Sequence, residues 1–292
     1  MVEPLLLLID GNNLAMRQIL GMADLNTKDG RPVGGLYGSI QAFGMALRQF
    51  KPSHVLWAFD HGRSAYRLDL LPSYKANRDV RQLGVPNIDT AETYKQLEVF
   101  FYHINTRWCR EKNTEADDLI ANAAQRFASP ELPVVIMSSD HDMRQLVNEN
   151  VMVYTPAQGK APSVVYDVDR VTAKYGLPPS KLADMWSIQG DAGDNIMGVP
   201  GLGPKRSQAI IEKYGSLESA IAYEPKLEGY GRLVLRNRKL IELRGDVAKF
   251  DVELDECVFS RVKDKPGLRD FLGHFEFVHY LRELDESKFL SF

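Results

Sequence analysis

Three short apolar runs, each closed by an acid, constrain this chain more than any other feature. Residues 5–9 lead to Asp10, residues 55–59 lead to Asp60, and residues 134–137 lead through Ser138 and Ser139 to Asp140. An uninterrupted apolar run suits a strand buried on both faces, as inside a parallel sheet; a strand with one wet face alternates. The stretches between the runs carry helical spacing. Ile40, Phe43, Gly44 and Leu47 mark residues 38–50, and Leu119, Ile120, Ala123 and Phe127 mark residues 115–127. Strand alternating with helix predicts an α/β fold with a central, mostly parallel sheet flanked by helices. Residues 151–155 and 164–166 are expected to add strands. Beyond about residue 168 helical patterns dominate, broken by the glycine-rich stretch 198–203. A core over 1–168 and a helical subdomain over 169–292 are therefore expected.

In parallel sheets, ligands sit beyond the carboxyl ends of the strands, where Asp10, Asp60 and Asp140 would converge. Asp142 points the same way if the chain stays extended. Glu115-Ala-Asp117-Asp118 opens a helix, and Glu115 and Asp118, three apart, share a face. Each acid has a plain alternative. An acid after a strand is often a turn residue, acids in a first helical turn are often caps, and Asp191 and Asp194 in Gly190-Asp-Ala-Gly-Asp-Asn195 read as a polar loop. Together they are harder to dismiss, because focused carboxylates repel unless cations neutralise them. Oxygen ligands without cysteine or a well-placed histidine favour Mg²⁺ or Mn²⁺ over zinc. His61 and His141 stand beside cluster acids; on an extended chain their side chains point away, which predicts structural roles or support of the metal ligands from behind.

At 292 residues the chain is long enough to bury a real core. No apolar stretch is long enough to span a bilayer, and no cleavable leader is expected. Two cysteines, Cys109 and Cys257, make neither a disulfide framework nor a zinc site, so a reducing cytoplasmic setting is expected. The net charge of −3 argues against a nucleic-acid partner until its distribution is considered. With the nine cluster acids set aside, the remainder stands at +6. Basic residues gather at Arg63, Arg67, Lys75, Arg78 and Arg81, and again at Arg232, Arg236, Arg238, Lys239 and Arg244. Such runs suit phosphate contacts, although many are solvated helix faces.

The order of several stretches resembles the 5′ nuclease superfamily of bacterial and phage flap endonucleases, which includes the 5′-nuclease domain of bacterial DNA polymerase I. The matching stretches are Leu8-Ile-Asp-Gly-Asn-Asn-Leu14, Phe59-Asp60, Tyr74-Lys-Ala-Asn-Arg78, Glu115-Ala-Asp-Asp118, Ser139-Asp-His-Asp142, Gly190-Asp-Ala-Gly-Asp-Asn195 and Gly198-Val-Pro-Gly-Leu-Gly-Pro-Lys205. The resemblance implies a PIN-like or resolvase-like core and a C-terminal helix–hairpin of the H2TH/H3TH kind. It assigns Asp10, Asp60, Glu115, Asp117 and Asp118 to one metal site and its bridge to the next, and Asp140, Asp142, Asp191 and Asp194 to a second. His141 stands where lysine or glycine is common, and Ser139 replaces a usual glycine. Lys75 and Arg78 match basic residues that reach the scissile phosphate and, three apart, would share a helix face. The implied activity is metal-dependent 5′-3′ exonuclease and flap endonuclease cleavage in replication or repair.

The resemblance also places a helical arch at about 63–110, where Arg63, Tyr66, Arg67, Tyr74 and Arg81 offer charges and rings to a single strand. Tyr66 and Tyr74 serve arch packing equally well. The hairpin, at about 187–222, matches a duplex-binding element. Gly201 and Gly203 would allow close backbone approach, with Lys205 and Arg206 beside a helix N-terminus that Pro204 opens. Carbonyls of Gly198, Val199 and Leu202 match positions that hold K⁺ in relatives, and Arg232, Arg236 and Lys239 would extend the duplex track. The expected partners are DNA with a 5′ flap, 5′ overhang or nick and an RNA–DNA primer, bound by a monomer with no membrane. A catalytically silent DNA-binding module would have lost several cluster acids, and a small RNA nuclease with the same core would lack arch and hairpin.

Overall fold

The computed structural model describes residues 4–78, 90–247, 249–259 and 262–291. Six strands form the main sheet: β1 (Leu6–Asp10), β2 (His54–Phe59), β3 (Arg107–Arg110), β4 (Val134–Met137), β5 (Val151–Thr155) and β6 (Val164–Tyr166). Their order is β3-β2-β1-β4-β5-β6. All neighbouring pairs are parallel except β5–β6. Successive strands run outward from β1 on one side, then the chain returns to place β4 on the other side. The crevice between β1 and β4 is thus the topological switch point, where ligands of open α/β sheets bind.

Alternate residues of each central strand serve opposite cores, which explains the unbroken apolar runs. Leu6, Leu8, Leu56, Ala58, Val134 and Ile136 pack on one side, and Leu7, Ile9, Val55, Trp57, Val135 and Met137 on the other. The second face is covered by α1 (Gly11–Gly21), α2 (Gly34–Phe50) and α4 (Thr90–Ile104). Between β2 and α4 lies the short α3 (Ala65–Leu70). The first face is covered by α5 (Ala116–Phe127) and by helices of the later chain. These are α6 (Val168–Tyr175), α7 (Leu182–Gln189), α8 (Pro204–Tyr214), α9 (Leu217–Tyr223) and α10 (Gly231–Ile241).

Two features depart from expectation. Within the stretch expected to form the arch, α4 buries Leu97, Phe100, Phe101 and Ile104 in the second core, and β3 is an edge strand of the sheet. Residues 90–110 are therefore body elements; Arg81, assigned to DNA, lies outside the described residues. The chain's last helices, α11 (Lys265–His274) and α12 (Val278–Asp285), do not extend the helical layer around the hairpin. They return to the opposite face, where Phe271, Phe275, Phe277 and Tyr280 join Phe100 and Trp57 in the second core. Among the described residues, no helix is long and apolar enough to cross a membrane.

Candidate metal centre and nucleic-acid interface

Asp10 ends β1 and caps α1: its Oδ1 accepts the Asn13 N–H at 3.0 Å, and its Oδ2 accepts the Ser138 hydroxyl at 2.8 Å. Asp60, just past β2, accepts the Ala116 N–H at 2.7 Å and so caps α5 from a neighbouring strand. That bond brings the first turn of α5, with Asp117 and Asp118, to the sheet edge. Here the acids also meet the helix's positive end. Past β4 the chain does not stay extended. It turns into a 3-10 segment at Asp142–Leu146, and the Asp142 N–H donates to Asp140 Oδ1 at 2.9 Å. Asp142 therefore reaches the cluster through a tight turn, and His141, at φ −73° and ψ −22°, is not directed away. Its ring nitrogens lie 3.6 Å from Asp140 Oδ1 and 3.3 Å from Asp142 Oδ1. This corrects the expectation that the His141 side chain points away from the acids.

Asp191 and Asp194 come from a tight loop between β7 (Gly190–Asp191) and β8 (Ile196–Met197), in which Asp191 Oδ1 accepts the Gly193 N–H at 2.7 Å. The loop clasps the segment after α3. Asn195 donates to the Ser73 carbonyl at 2.8 Å, Asn77 to the Ala192 carbonyl at 3.0 Å, and the Lys75 N–H to the Asp194 carbonyl at 3.0 Å. Asp117, Asp142, Asp191 and Asp194 then line one crevice.

Mutual repulsion is visible in the acidities. Burial, then Asp60, pushes Asp10 up to about 7. Burial followed by Asp140 and Asp10 raises Asp117 well above the ordinary carboxylate range, and burial followed by Asp140 and Asp191 does the same to Asp142. Carboxylates so strongly disposed to stay protonated form a donor set that fits hard divalent cations, which would relieve the repulsion.

Two expected ligands stand differently. Asp118 is wholly buried and is clasped by the Arg67 guanidinium, with Nη2 2.8 Å from Oδ1. Arg67 is itself 2% exposed, so it holds α5 in place and has no surface to offer a strand. Glu115 Oε2 lies 3.3 Å from Arg67 Nη1 and 3.0 Å from the Tyr74 hydroxyl, while Oε1 pairs with Lys75 Nζ. Tyr74 is buried, a packing and hydrogen-bonding residue here and not a stacking platform. Burial opposes the charge on Lys75, but Glu115, Asp194 and Asp117 outweigh it and hold the ammonium above its ordinary value. The backbone of Arg78 closes a 3-10 turn over Ala76–Arg78, and its side chain, expected to reach the phosphate, lies outside the described residues. Arg63 is half-buried and donates to the Tyr74 carbonyl at 3.2 Å; Tyr66 is half-buried on α3.

Sequence reasoning gave no role to Asn12, Asn13 or Ser138, although the two asparagines lie in a quoted stretch. Asn12 Oδ1 accepts the Asp60 N–H at 2.8 Å, and Asn13 Oδ1 accepts the Ser139 N–H at 3.0 Å. Ser138 Oγ also accepts the Asp140 N–H at 3.0 Å. These bonds tie the ends of β1, β2 and β4 to one another and fix the spacing of their acids.

In the hairpin, α7 and α8 are joined where two backbones cross. A Cβ on Gly198 would stand 1.9 Å from the Gln189 carbonyl oxygen, so only glycine fits. Gly201 (φ +77°) makes the turn, and its carbonyl accepts from Arg206 at 2.7 Å. Gly203 caps α8, and Lys205 and Arg206 are exposed in its first turn. The Val199 carbonyl accepts the Leu202 N–H and the Leu202 carbonyl accepts the Ser207 hydroxyl, each at 3.0 Å. On α10, Arg232 and Lys239 are exposed and Arg236 is half-buried beside Asn237.

Comparison with known proteins places this geometry. The family model of the 5′-3′ exonuclease N-terminal resolvase-like domain matches residues 5–176, and that of the 5′-3′ exonuclease C-terminal SAM fold matches residues 177–265. DNA polymerase I of Rhizobium leguminosarum is 30% identical over 299 residues, covering 97% of this chain and 28% of that protein. The chain thus spans only about a quarter to a third of the curated relatives it matches. Among solved structures, the bacteriophage T5 flap endonuclease in a pseudo-enzyme-product complex with DNA and metal ions superposes with a TM-score of 0.67 at 22% identity, covering 93% of this chain and 99% of that one. The catalytic core of Rad2 in complex with DNA substrate gives 0.60 at 16% identity, covering 98% and 92%. These likenesses show a shared fold, and the two family matches, running consecutively along the sequence, show the kinship: the chain belongs to the 5′-3′ exonuclease family.

Proposed function

We propose that this chain is a structure-specific 5′ nuclease, cutting DNA phosphodiesters near 5′ ends and at single-strand–duplex junctions as exonuclease and flap endonuclease, in replication or repair. The observation that carries the reading is the convergence of Asp10, Asp60, Asp117 and Asp140, and of Asp142, Asp191 and Asp194, at one sheet edge, where burial and then neighbouring carboxylates hold Asp10, Asp117 and Asp142 above the ordinary carboxylate range. Asp10, Asp60, Asp117 and Asp140 would hold one divalent cation, and Asp140, Asp142, Asp191 and Asp194 a second. Mg²⁺ is the expected ion, with Mn²⁺ able to substitute. Such cations supply an acidified water and neutralise charge gathering on the phosphoryl oxygens.

The protein's own groups do the rest. Lys75, poised between Glu115 and Asp194, offers its ammonium to the phosphate undergoing cleavage, and Arg78 would join it. Asp118 and Arg67 hold α5 so that Asp117 keeps its place. The first turn of α8, with Lys205 and Arg206, takes a phosphate of the duplex, and Arg232, Arg236 and Lys239 continue that track. Carbonyls of Gly198, Val199 and Leu202 would take K⁺. None of these contacts reads a base, so recognition rests on DNA structure, and affinity falls steeply with salt. The test is cleavage of a 5′-labelled flap with Mg²⁺, with and without chelator, by the native chain and by Asp140→Asn. Chelator-sensitive release of the flap, abolished in Asp140→Asn while flap binding persists, is expected. No cleavage under any divalent ion would overturn the reading.

A further inference from the structure

The turn after β4 brings an imidazole into the acidic cluster. Ligand atoms of Asp140, His141 and Asp142 all lie within 4.8 Å of one another, a spacing that a single cation can bridge. The turn is tied at both ends: the Asp142 N–H donates to Asp140 Oδ1 at 2.9 Å, and the Arg144 N–H to the His141 carbonyl at 3.1 Å. The ring also has a wall. Trp186 of α7, itself 5% exposed, packs edge-on against it with centroids 5.3 Å apart and planes at 86°. Trp186 is in turn braced by Tyr175 at 5.9 Å. The His141 side chain as a whole is half exposed.

Carboxylate oxygens serve Mg²⁺ and Mn²⁺ alike. A neutral imidazole nitrogen discriminates, because it binds first-row transition dications far better than it binds Mg²⁺. We propose that His141 is a ring-nitrogen donor at this end of the centre and raises its affinity for a first-row transition dication relative to Mg²⁺ above what the carboxylates alone would give. The inference rests on the reading of the acidic cluster as a metal centre and adds to it a specificity-determining residue. Trp186 braces the ring, whose Nδ1 lies 3.6 Å from Asp140 Oδ1 and whose Nε2 lies 3.3 Å from Asp142 Oδ1.

The test uses the full chain and Mn²⁺ as probe. Mn²⁺ binding is followed by calorimetry, and the coordination of the bound ion by pulsed electron paramagnetic resonance, where a directly bound imidazole gives a ¹⁴N coupling. The native chain is expected to show that coupling, and His141→Gln to lose it. The ratio of Mn²⁺ to Mg²⁺ affinity should fall about tenfold or more in the variant, the scale on which even outer partners of a metal affect its binding. His141 is half exposed, so the variant is expected to fold; a second variant, His141→Ala, repeats the measurement. Mn²⁺ binding without a ¹⁴N coupling, or an unchanged affinity ratio, overturns the proposal while leaving the acidic metal centre standing. Failure of any divalent ion to bind the native chain overturns both.

Discussion

Arg67 clasps Asp118 across 51 positions of sequence: Nη2 lies 2.8 Å from Oδ1, and the two side chains are 2% and 0% exposed. The same guanidinium donates through Nε to the Leu240 carbonyl at 2.7 Å, so one side chain joins α3, α5 and α10. Breaking a buried pair from one side leaves a charge with neither water nor partner. Arg67→Met is expected to lower unfolding free energy by about 3–5 kcal/mol. Replacing both partners, as Arg67→Met with Asp118→Leu, should recover most of that loss. Denaturant unfolding of the two variants checks this, and a double variant no more stable than the single one would contradict it.

Lys75 lies at the other end of the same network, at φ +54°, and pairs with Glu115 beside the acids. Its charge is placed to act on a phosphate, and removal of one such preorganised donor costs on the order of 10²-fold in rate. Lys75→Gln should lower the single-turnover rate on a flap by about that factor, with DNA affinity within about threefold. Rapid-quench kinetics beside fluorescence binding separates the two, and an equal loss in both would assign Lys75 to binding.

The central sheet was legible because buried parallel strands need unbroken apolar runs, as residues 5–9, 55–59 and 134–137 have. Arg107-Trp-Cys-Arg110 carries no such run, since an edge strand pairs on one side only, and β3 left no apolar signature. The acids were legible as a set because each follows a strand or opens a helix. Their division was not, because only tertiary packing brings Arg67 to Asp118 and leaves Asp117 facing Asp140. His141 was misplaced by assuming an extended chain, a local conformation that the Asp140–Asp142 turn replaces. Tyr74 and Arg67 looked like strand-binding residues by type; burial of each is a property of the fold and not of the residue.

Asp10 links the metal centre to pH. Burial and Asp60 hold it at about 7 in the folded protein against an ordinary 3.8, so the folded form binds this proton more tightly than the unfolded chain does. Without divalent ions, its contribution favours folding most below the ordinary value and is lost as pH rises through about 7. The melting temperature in chelator should therefore fall between pH 6 and 8, and saturating Mg²⁺ should restore more of it at pH 8. Calorimetry in buffers of different ionisation enthalpy should show proton release on Mg²⁺ binding near pH 6.5. Absence of proton release would contradict the raised pKa of Asp10.

Gly198 and Gly190 hold two backbones closer than any side chain permits. A Cβ on Gly198 would meet the Gln189 carbonyl at 1.9 Å, and one on Gly190 the Gly198 nitrogen at 2.3 Å. Gly198→Ala must therefore part α7 from the hairpin. A loss of about 3 kcal/mol or more is expected, at the upper end for overpacking because backbone must move. Gly203→Ala is the control, with nothing within 4 Å of its added carbon and a change of about 0.5 kcal/mol or less. Thermal unfolding and amide exchange in α7 and α8 read both, and equal effects would refute the close crossing.

Lys205 is exposed in the first turn of α8, beside N–H groups that no side chain caps. Helix N–H groups and an ammonium together suit a backbone phosphate, which carries no sequence information. Lys205→Ala should then weaken binding of every duplex by a similar factor. Loss of one phosphate contact removes about one released counterion, so the plot of log affinity against log salt should become shallower by about 0.9. Binding isotherms at several salt concentrations, on two duplexes of unrelated sequence, give both quantities. Cleavage measured at saturating DNA should change far less than affinity, because the contact orients the duplex without touching the bond that breaks. An unchanged salt slope would remove Lys205 from the interface, and a loss confined to one duplex would mean that the hairpin reads sequence.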